Sequence, residues 1–438
     1  MLEGMSREKR IELYLALALA FTFICYLIGV FILYEMTGIE SEVMRDRYWK
    51  DVVPLFEGKI PIMEYPPFAL IFMAIPGLFT CWTHSAFIYN IGFVVEIYIF
   101  TIIGLELFRL IAERYGVSQI KVMLLYSVFI VLMLPFVADR YDIIPAILCL
   151  GAFYLFITKR YIWTFVLLAL GALTKVYPAF LMLPFMMLFL IKRDWKSMFQ
   201  GAAVFIITAA AVILPFYLIE PESVIHFITY NSDRPLEVGS VVATLIYPFS
   251  MIGMIDVSIL PWTDPGSYGS DDLIGPVPDA IAGIMSYVMA AFTLAAVLFY
   301  GFIRNKRGRN DEALFLMVSG SLMVVMALIV FGKVFSSQYL LWAMPLFLLA
   351  IMMCPDHKFS NKLAIVLLAI FIFTEINCGY IYAYLNGGTN INDLCMILML
   401  LRNLVVIYAM YMVGRKMWEV YRDGFSGKDL ENCFDDYC

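Results

Sequence analysis

Residues 11–34 read IELYLALALAFTFICYLIGVFILY, an apolar run that follows directly on Arg7, Lys9 and Arg10. A helix rising 1.5 Å per residue over that stretch would cross a hydrocarbon core of roughly 30 Å. The run is too long for the apolar region of a cleaved signal peptide, so an uncleaved anchor is expected. Its basic start places the N-terminus on the cytoplasmic side.

The rest of the chain has the same character. Of its 438 residues, 63% are hydrophobic and 15% charged, and the mean hydropathy is +0.86. Soluble chains carry about 25% charged residues. Lipid must therefore solvate most of this one. Cys25, Cys81, Cys149, Cys354, Cys378, Cys395, Cys433 and Cys438 form no CxxC pair and have no histidine at metal-ligand spacing. A structural zinc or haem site is not expected from them. The net charge of -6 says less than where the charges fall.

Further apolar runs cover 86–108, 118–137, 142–158, 161–177, 179–191, 199–219, 279–303, 312–332, 340–354, 362–376 and 393–413. With the first run they predict an all-α polytopic membrane protein of about twelve spans. The basic clusters test that count. Arg109, Arg114 and Lys121 fall in one connection, Lys159 and Arg160 in another, and Lys192, Arg193 and Lys196 in a third. Arg304, Lys306, Arg307 and Arg309 come next, then His357, Lys358 and Lys362, then Arg415, Lys416 and Arg422. Alternating spans put every cluster on one side, so both termini are expected in the cytoplasm. Segments 68–80 and 241–255 then stay on the outer side as re-entrant or interfacial pieces; a true span at 68–80 is the alternative. One membrane domain over 1–423 is expected, with outer loops at 36–85 and 220–278. A short acidic cytoplasmic tail, 424–438, follows. No internal repeat is visible, which weakens a transporter built on inverted repeats.

On this topology the outer connections gather polar residues. The first loop holds Glu40, Glu42, Asp46, Asp51, Glu57 and Glu64. The second holds Asp139, Arg140 and Asp142; Lys175 ends an apolar helix just before Tyr177-Pro178. The long loop adds His226, Asp233, Arg234, Glu237 and Ser240, and Lys333, Gln338 and Tyr339 come after it. A charge at a span's centre costs roughly 2.5–3.5 kcal/mol on insertion scales, and cations outside break the positive-inside pattern. A single lysine there reads equally well as an interfacial anchor that snorkels. Taken together, Arg140, Lys175, Arg234 and Lys333 look like a set of unpaired cations for an anionic lipid phosphate. Asp51 and Glu57 read as solvated. Glu42 lies close after the first span, and Glu64 precedes Tyr65-Pro66-Pro67, whose fixed backbone holds it at the membrane surface. A desolvated carboxylate beside a phosphate site could act as general base on a sugar hydroxyl.

These residues resemble a known family. Ser41-Glu42-Val43, Tyr48, Leu55, Gly58, Ile60-Pro61 and Glu64-Tyr65-Pro66-Pro67 are similar to the first outer loop of polyprenol-phosphate-dependent glycosyltransferases of the C-type superfamily. The likeness is strongest to the family 87-like mannosyltransferases of bacteria and archaea. Asp139-Arg140-Tyr141-Asp142 looks like their acidic-aromatic motif, and Leu173 through Pro178 like their Lys-x-Tyr-Pro motif. Arg234 through Ser240 falls where the group has an arginine loop; Lys333 through Trp342 resembles its most recognisable signature; Arg402-Asn403 also fits. Glu42 stands where the family usually has Asp, Ser337 where Pro is common, and Pro235 and Gly239 where Gly and Glu are common.

The resemblance implies a membrane hexosyltransferase with a polyprenyl or dolichyl phosphate sugar donor, mannose first among the sugars. A glycan or glycolipid acceptor and inversion at the outer face are implied with it. Glu42 would be the catalytic carboxylate, with Glu64 and Asp46 as the other candidates. Arg140, Lys175, Arg234 and Lys333 would bind the donor phosphate. Asp139, Asp142, Tyr177, His226, Ser240, Gln338 and Tyr339 would line the substrate site. No resident metal is assigned; Asp139 and Asp142 either hold a divalent cation or make a salt-bridged turn. No P-loop is present, as suits a lipid-linked donor, and no nucleic-acid partner is expected. The rivals are a secondary transporter or lipid-sugar flippase using Glu96, Glu106, Glu375 and Arg402, a lipid-dependent ligase or phosphotransferase, and a structural subunit.

Overall fold

The computed structural model describes residues 5–37, 48–80, 85–306, 310–378 and 393–425. The chain divides into two compact units, Met1–Met182 with Trp195–Asn231, and Leu183–Asp194 with Ser232–Cys438.

The first unit contains α1 (Arg7–Thr37), α2 (Trp49–Phe56), α3 (Ala69–Leu78), α4 (Ala86–Tyr115), α5 (Gln119–Leu132) and α6 (Leu134–Asp139). It continues through α7 (Ile143–Ile157), α8 (Tyr161–Thr174), the start of α9 (Tyr177–Lys192), α10 (Trp195–Ile219) and most of α11 (Pro221–Asp233). Local chemistry sets the breaks. Ser85 accepts a hydrogen bond from the Ile88 amide to start α4, and Gly116, at φ 72, ends it in the left-handed region. The Ser118 side chain caps α5 in the same way. Pro178 stands at the second position of α9, where its missing amide proton costs nothing but would break a helix continuing from α8, so α8 and α9 part at Lys175-Val176.

The second unit holds the rest of α9, β1 (Leu236–Glu237), α12 (Val241–Met251), β2 (Ser258–Leu260), β3 (Asp272–Ile274), α13 (Pro276–Lys306) and α14 (Asn310–Val330). A single 3-10 turn (Ser337–Tyr339), α15 (Leu340–Met353), α16 (His357–Cys378) and α17 (Asp393–Asp423) complete it.

Each apolar run of the sequence falls on a helix, and the protein is an all-α polytopic membrane protein. Seven helices, α1, α4, α10, α13, α14, α16 and α17, are long and apolar enough to cross a membrane. The other five expected spans, α5, α7, α8, α9 and α15, have 14 to 16 residues. That length gives about 21–24 Å against a core of roughly 30 Å.

The connection between α1 and α4 carries two short helices, α2 and α3. Trp49 and Val52 of α2 are buried; Trp49 packs 5.3 Å from the Tyr89 ring. A Cβ at Gly77 of α3 would come within 2.7 Å of Val52 Cγ1, so glycine permits this approach. One region departs from the all-α pattern. The long loop folds into a three-stranded antiparallel sheet, order β1-β3-β2. Leu236, Val238 and Leu273 are buried in a small core with Ala243, Ala282, Met396 and Met399.

Candidate active site

In the first unit, three chain breaks meet. The Glu64-Tyr65-Pro66-Pro67 segment docks on the end of α8 through the Phe68 amide, which donates to the Leu173 carbonyl at 3.0 Å. Tyr141, between α6 and α7, donates its hydroxyl to the Thr174 carbonyl at 3.3 Å. Lys175 Nζ then lies 3.2 Å from Asp142 Oδ1, with the Asp142 side chain only 1% exposed. The ammonium also sits over two aromatic faces, 5.3 Å from the Tyr65 centroid and 4.8 Å from that of Tyr141. Tyr48, Tyr65 and Tyr141 close the wall edge to face at 5.1 to 6.0 Å. Glu64 is half-buried, and its charge acts on both Lys175 and Tyr141. Arg140 acts on Lys175 as a like charge. Opposing that charge are Asp142 and Glu64, so the group balances two cations with two carboxylates.

Neighbouring candidates take other roles. Asp139 accepts from the Tyr26 hydroxyl of α1 at 2.9 Å, whereas Asp142 holds Lys175. The two carboxylates thus have different partners. Tyr177 is 3% exposed, beside the equally buried Cys149. His226 is half-buried on α11, its ring 5.7 Å from Tyr230. Asn231 of the same helix donates to the Glu64 carbonyl at 3.4 Å. Glu42 and Asp46 lie outside the described residues.

The second unit has its own polar group. Arg234 Nη2 donates to Ser270 Oγ at 2.8 Å, and that hydroxyl donates to Asp272 Oδ1 at 2.9 Å. Glu237 pairs with Asp272 across β1 and β3, so their side chains share one face of the sheet. Ser336 donates to Glu237 Oε1 at 2.7 Å. Burial pushes the Glu237 carboxyl above its usual range, although Arg234 and Ser336 draw it back. Asp272 is raised chiefly by burial as well. Lys333 donates to the Ser232 carbonyl at 2.7 Å, in the last turn of α11, where a cation suits the helix end. Burial lowers its ammonium, Asp233 opposes that shift and Arg234 adds to it. Ser240 has no exposed surface and caps α12, accepting from the Ala243 amide at 3.2 Å. Gln338 and Tyr339 are half-buried in the 3-10 turn, with the Tyr339 ring stacked 3.7 Å from Trp342.

The cations read as unpaired have partners: Asp142 for Lys175, Ser270 for Arg234 and the Ser232 carbonyl for Lys333. Arg140 also has an interaction partner. In addition, Asp272, Ser270 and Ser336 were not among the residues singled out, because a serine in a loop carries no periodic signal. The antiparallel register of Glu237 with Asp272 would have been needed to find them. Among the described residues, no group of three or more His, Cys, Asp or Glu is arranged to hold a metal ion.

A multi-pass membrane protein with cations and carboxylates collected at the mouths of short apolar helices is suited to chemistry on a lipid-borne substrate. The family model for glycosyltransferase family 87 matches residues 64–331. The chain belongs to that family, so it is a membrane enzyme that transfers sugar, and the transporter and structural-subunit readings give way. No curated protein matches the chain. The matched span starts at Glu64 and takes in Asp139 to Asp142, Lys175 and Arg234 through Ser240; Glu42, Lys333 and Arg402 lie beyond it.

Proposed function

We propose that the enzyme moves a hexose, mannose first among the candidates, from a polyprenyl or dolichyl phosphate to a lipid- or protein-linked glycan at the outer face, inverting the anomeric centre. One observation carries this reading: Lys175, Asp142 and the charge of Glu64 come together within tyrosine walls, at the ends of helices too short to span. A lipid phosphate headgroup sits at such a depth. In the proposed step a carboxylate takes the proton of the acceptor hydroxyl, whose oxygen attacks the anomeric carbon. The bond to the phosphate oxygen breaks, and the polyprenyl phosphate leaves with the electron pair. A phosphate is a competent leaving group, so cations that hold it suffice without a second acid.

Lys175 and Arg140 are assigned to that phosphate, and Arg234 and Lys333 to phosphate contact in their own unit. Glu42 is the base by resemblance. Glu64, like Asp142, is a carboxylate whose charge reaches Lys175, which supports it as the alternative, with Asp46 third. His226, Gln338 and Tyr339 are assigned to substrate contact. Asp139, Asp142, Tyr177 and Ser240, held by internal partners, shape the site. Chelator sensitivity of the transfer is the measurement for a divalent ion at Asp139 and Asp142.

The test is an assay of purified protein with a panel of polyprenyl-phosphate sugars and mass analysis of the products. Transfer from a mannose- or other hexose-bearing lipid phosphate is expected. Turnover with nucleotide sugars alone would overturn the donor assignment.

A further inference from the structure

Arg402 lies in α17 with no exposed surface, and every arm of its guanidinium is engaged. Nη2 donates to the Gly239 carbonyl at 2.8 Å, Nη1 to Ser337 Oγ at 3.4 Å and Nε to Asn403 Oδ1 at 3.0 Å. Its plane covers the Phe335 ring, 4.3 Å from the centroid. The Asn403 amide adds bonds to the Gly239 and Ser240 carbonyls and to the Thr244 hydroxyl.

Most of these partners belong to two segments. Residues 234–240 carry Arg234, and residues 333–339 carry Lys333. The segments also bind one another: the Glu237 amide donates to the Lys333 carbonyl at 3.0 Å, and Ser336 to Glu237 at 2.7 Å. At Gly239 the backbones run so close that a Cβ would fall 2.9 Å from the Phe335 carbonyl oxygen. An ionisable residue buried in a membrane helix is rare and marks function by default. The planar guanidinium fork presents its donors from three nitrogens, so it holds three separate partners at fixed angles, which a lysine ammonium, donating from one atom, does not.

We propose that Arg402 is a positioning residue, which sets the separation of Arg234 and Lys333 by pinning Gly239 and Ser337 to one guanidinium. The proposal rests on the assignment of those two cations to phosphate contact. Lysine is a point donor and cannot hold the three partners together, so Arg402→Lys is the informative variant. In the folded, detergent-purified protein it is expected to raise KM for a polyprenyl-phosphate sugar tenfold or more, with kcat lowered less than threefold. Gly239→Ala should act in the same direction by forcing the two segments apart. In an Arg234→Ala/Lys333→Ala background, Arg402→Lys should add nothing to KM, because its effect passes through those cations.

A merely structural arginine would instead lower the unfolding temperature and the folded fraction while the surviving enzyme kept its KM; that outcome overturns the proposal. If Arg234→Ala and Lys333→Ala raise KM but Arg402→Lys and Gly239→Ala do not, positioning alone falls. Unchanged KM in the two cation variants removes the phosphate assignment beneath it. Should Arg402→Lys fail to fold, Gly239→Ala and Ser337→Ala carry the test, and unchanged KM in both overturns the proposal.

Discussion

The two units hold their cations by opposite means. In the first, Lys175 and Asp142 stand where helices end and are fixed by side chains, through an ion pair and two tyrosine faces. In the second, Arg234 and Lys333 ride on connecting segments and lean on a serine hydroxyl and a backbone carbonyl. Glu237 and Asp272 are buried beside that second group. Side-chain pairing at helix ends makes a rigid, mutually dependent group. Loop cations with hydroxyl and carbonyl partners can exchange those partners for a phosphate at small cost. The first group should therefore fail in stability and chemistry together, and the second in affinity.

Lys175→Ala carries the largest expected effect. It leaves the buried Asp142 without its Lys175 ion pair, and breaking a buried pair costs about 3–5 kcal/mol. A fall in unfolding temperature should accompany loss of transfer. Adding Asp142→Asn should restore most of the stability but not the transfer, and recovery of both would make the pair purely structural. Glu64→Gln comes next. The carboxylate is half-buried and glutamine keeps its shape, so the fold should hold while kcat drops by roughly 10²–10⁴, the usual span for a general base. Normal turnover would remove Glu64 and leave Glu42 and Asp46, whose own glutamine and asparagine variants then decide.

A smaller effect belongs to the second group. The Glu237 carboxyl is raised in the folded state, so the folded protein holds its proton more tightly than the unfolded chain. Its contribution to stability is full below the ordinary carboxylate range and is lost as pH rises through the folded value. Unfolding temperature measured against pH should show that decline, and Glu237→Gln should flatten it. A steeper slope in the variant would contradict the assignment. The smallest effect is at Glu57 and Lys59, exposed and 2.7 Å apart, where Glu57→Gln should change neither stability nor transfer measurably.

Much of the first group was legible in the sequence, since breaking an apolar helix with Lys175-Val176-Tyr177-Pro178 announces a polar residue at a span's end. Tyr48, Tyr65 and Tyr141 were quoted in motifs, yet their closing over Lys175 depends on how α6 to α9 stop short, which hydropathy does not resolve. The helices themselves were readable because lipid leaves the backbone few other choices. The sheet in the long loop was not: its strands are two or three residues long, too short for an alternation to stand out. Arg402-Asn403 was noticed as a resemblance, and its bonds to Gly239 and Ser337 come only from tertiary structure.

The proposed chemistry requires that these cations recognise a lipid phosphate. Binding of polyprenyl monophosphate and of the unphosphorylated polyprenol should be compared for the wild type, the Lys175→Met/Asp142→Asn variant and the Lys333→Ala variant. The wild type should bind the phosphate form at least tenfold more tightly, and the variants should lose that preference. Equal binding of both lipids by the wild type would contradict it.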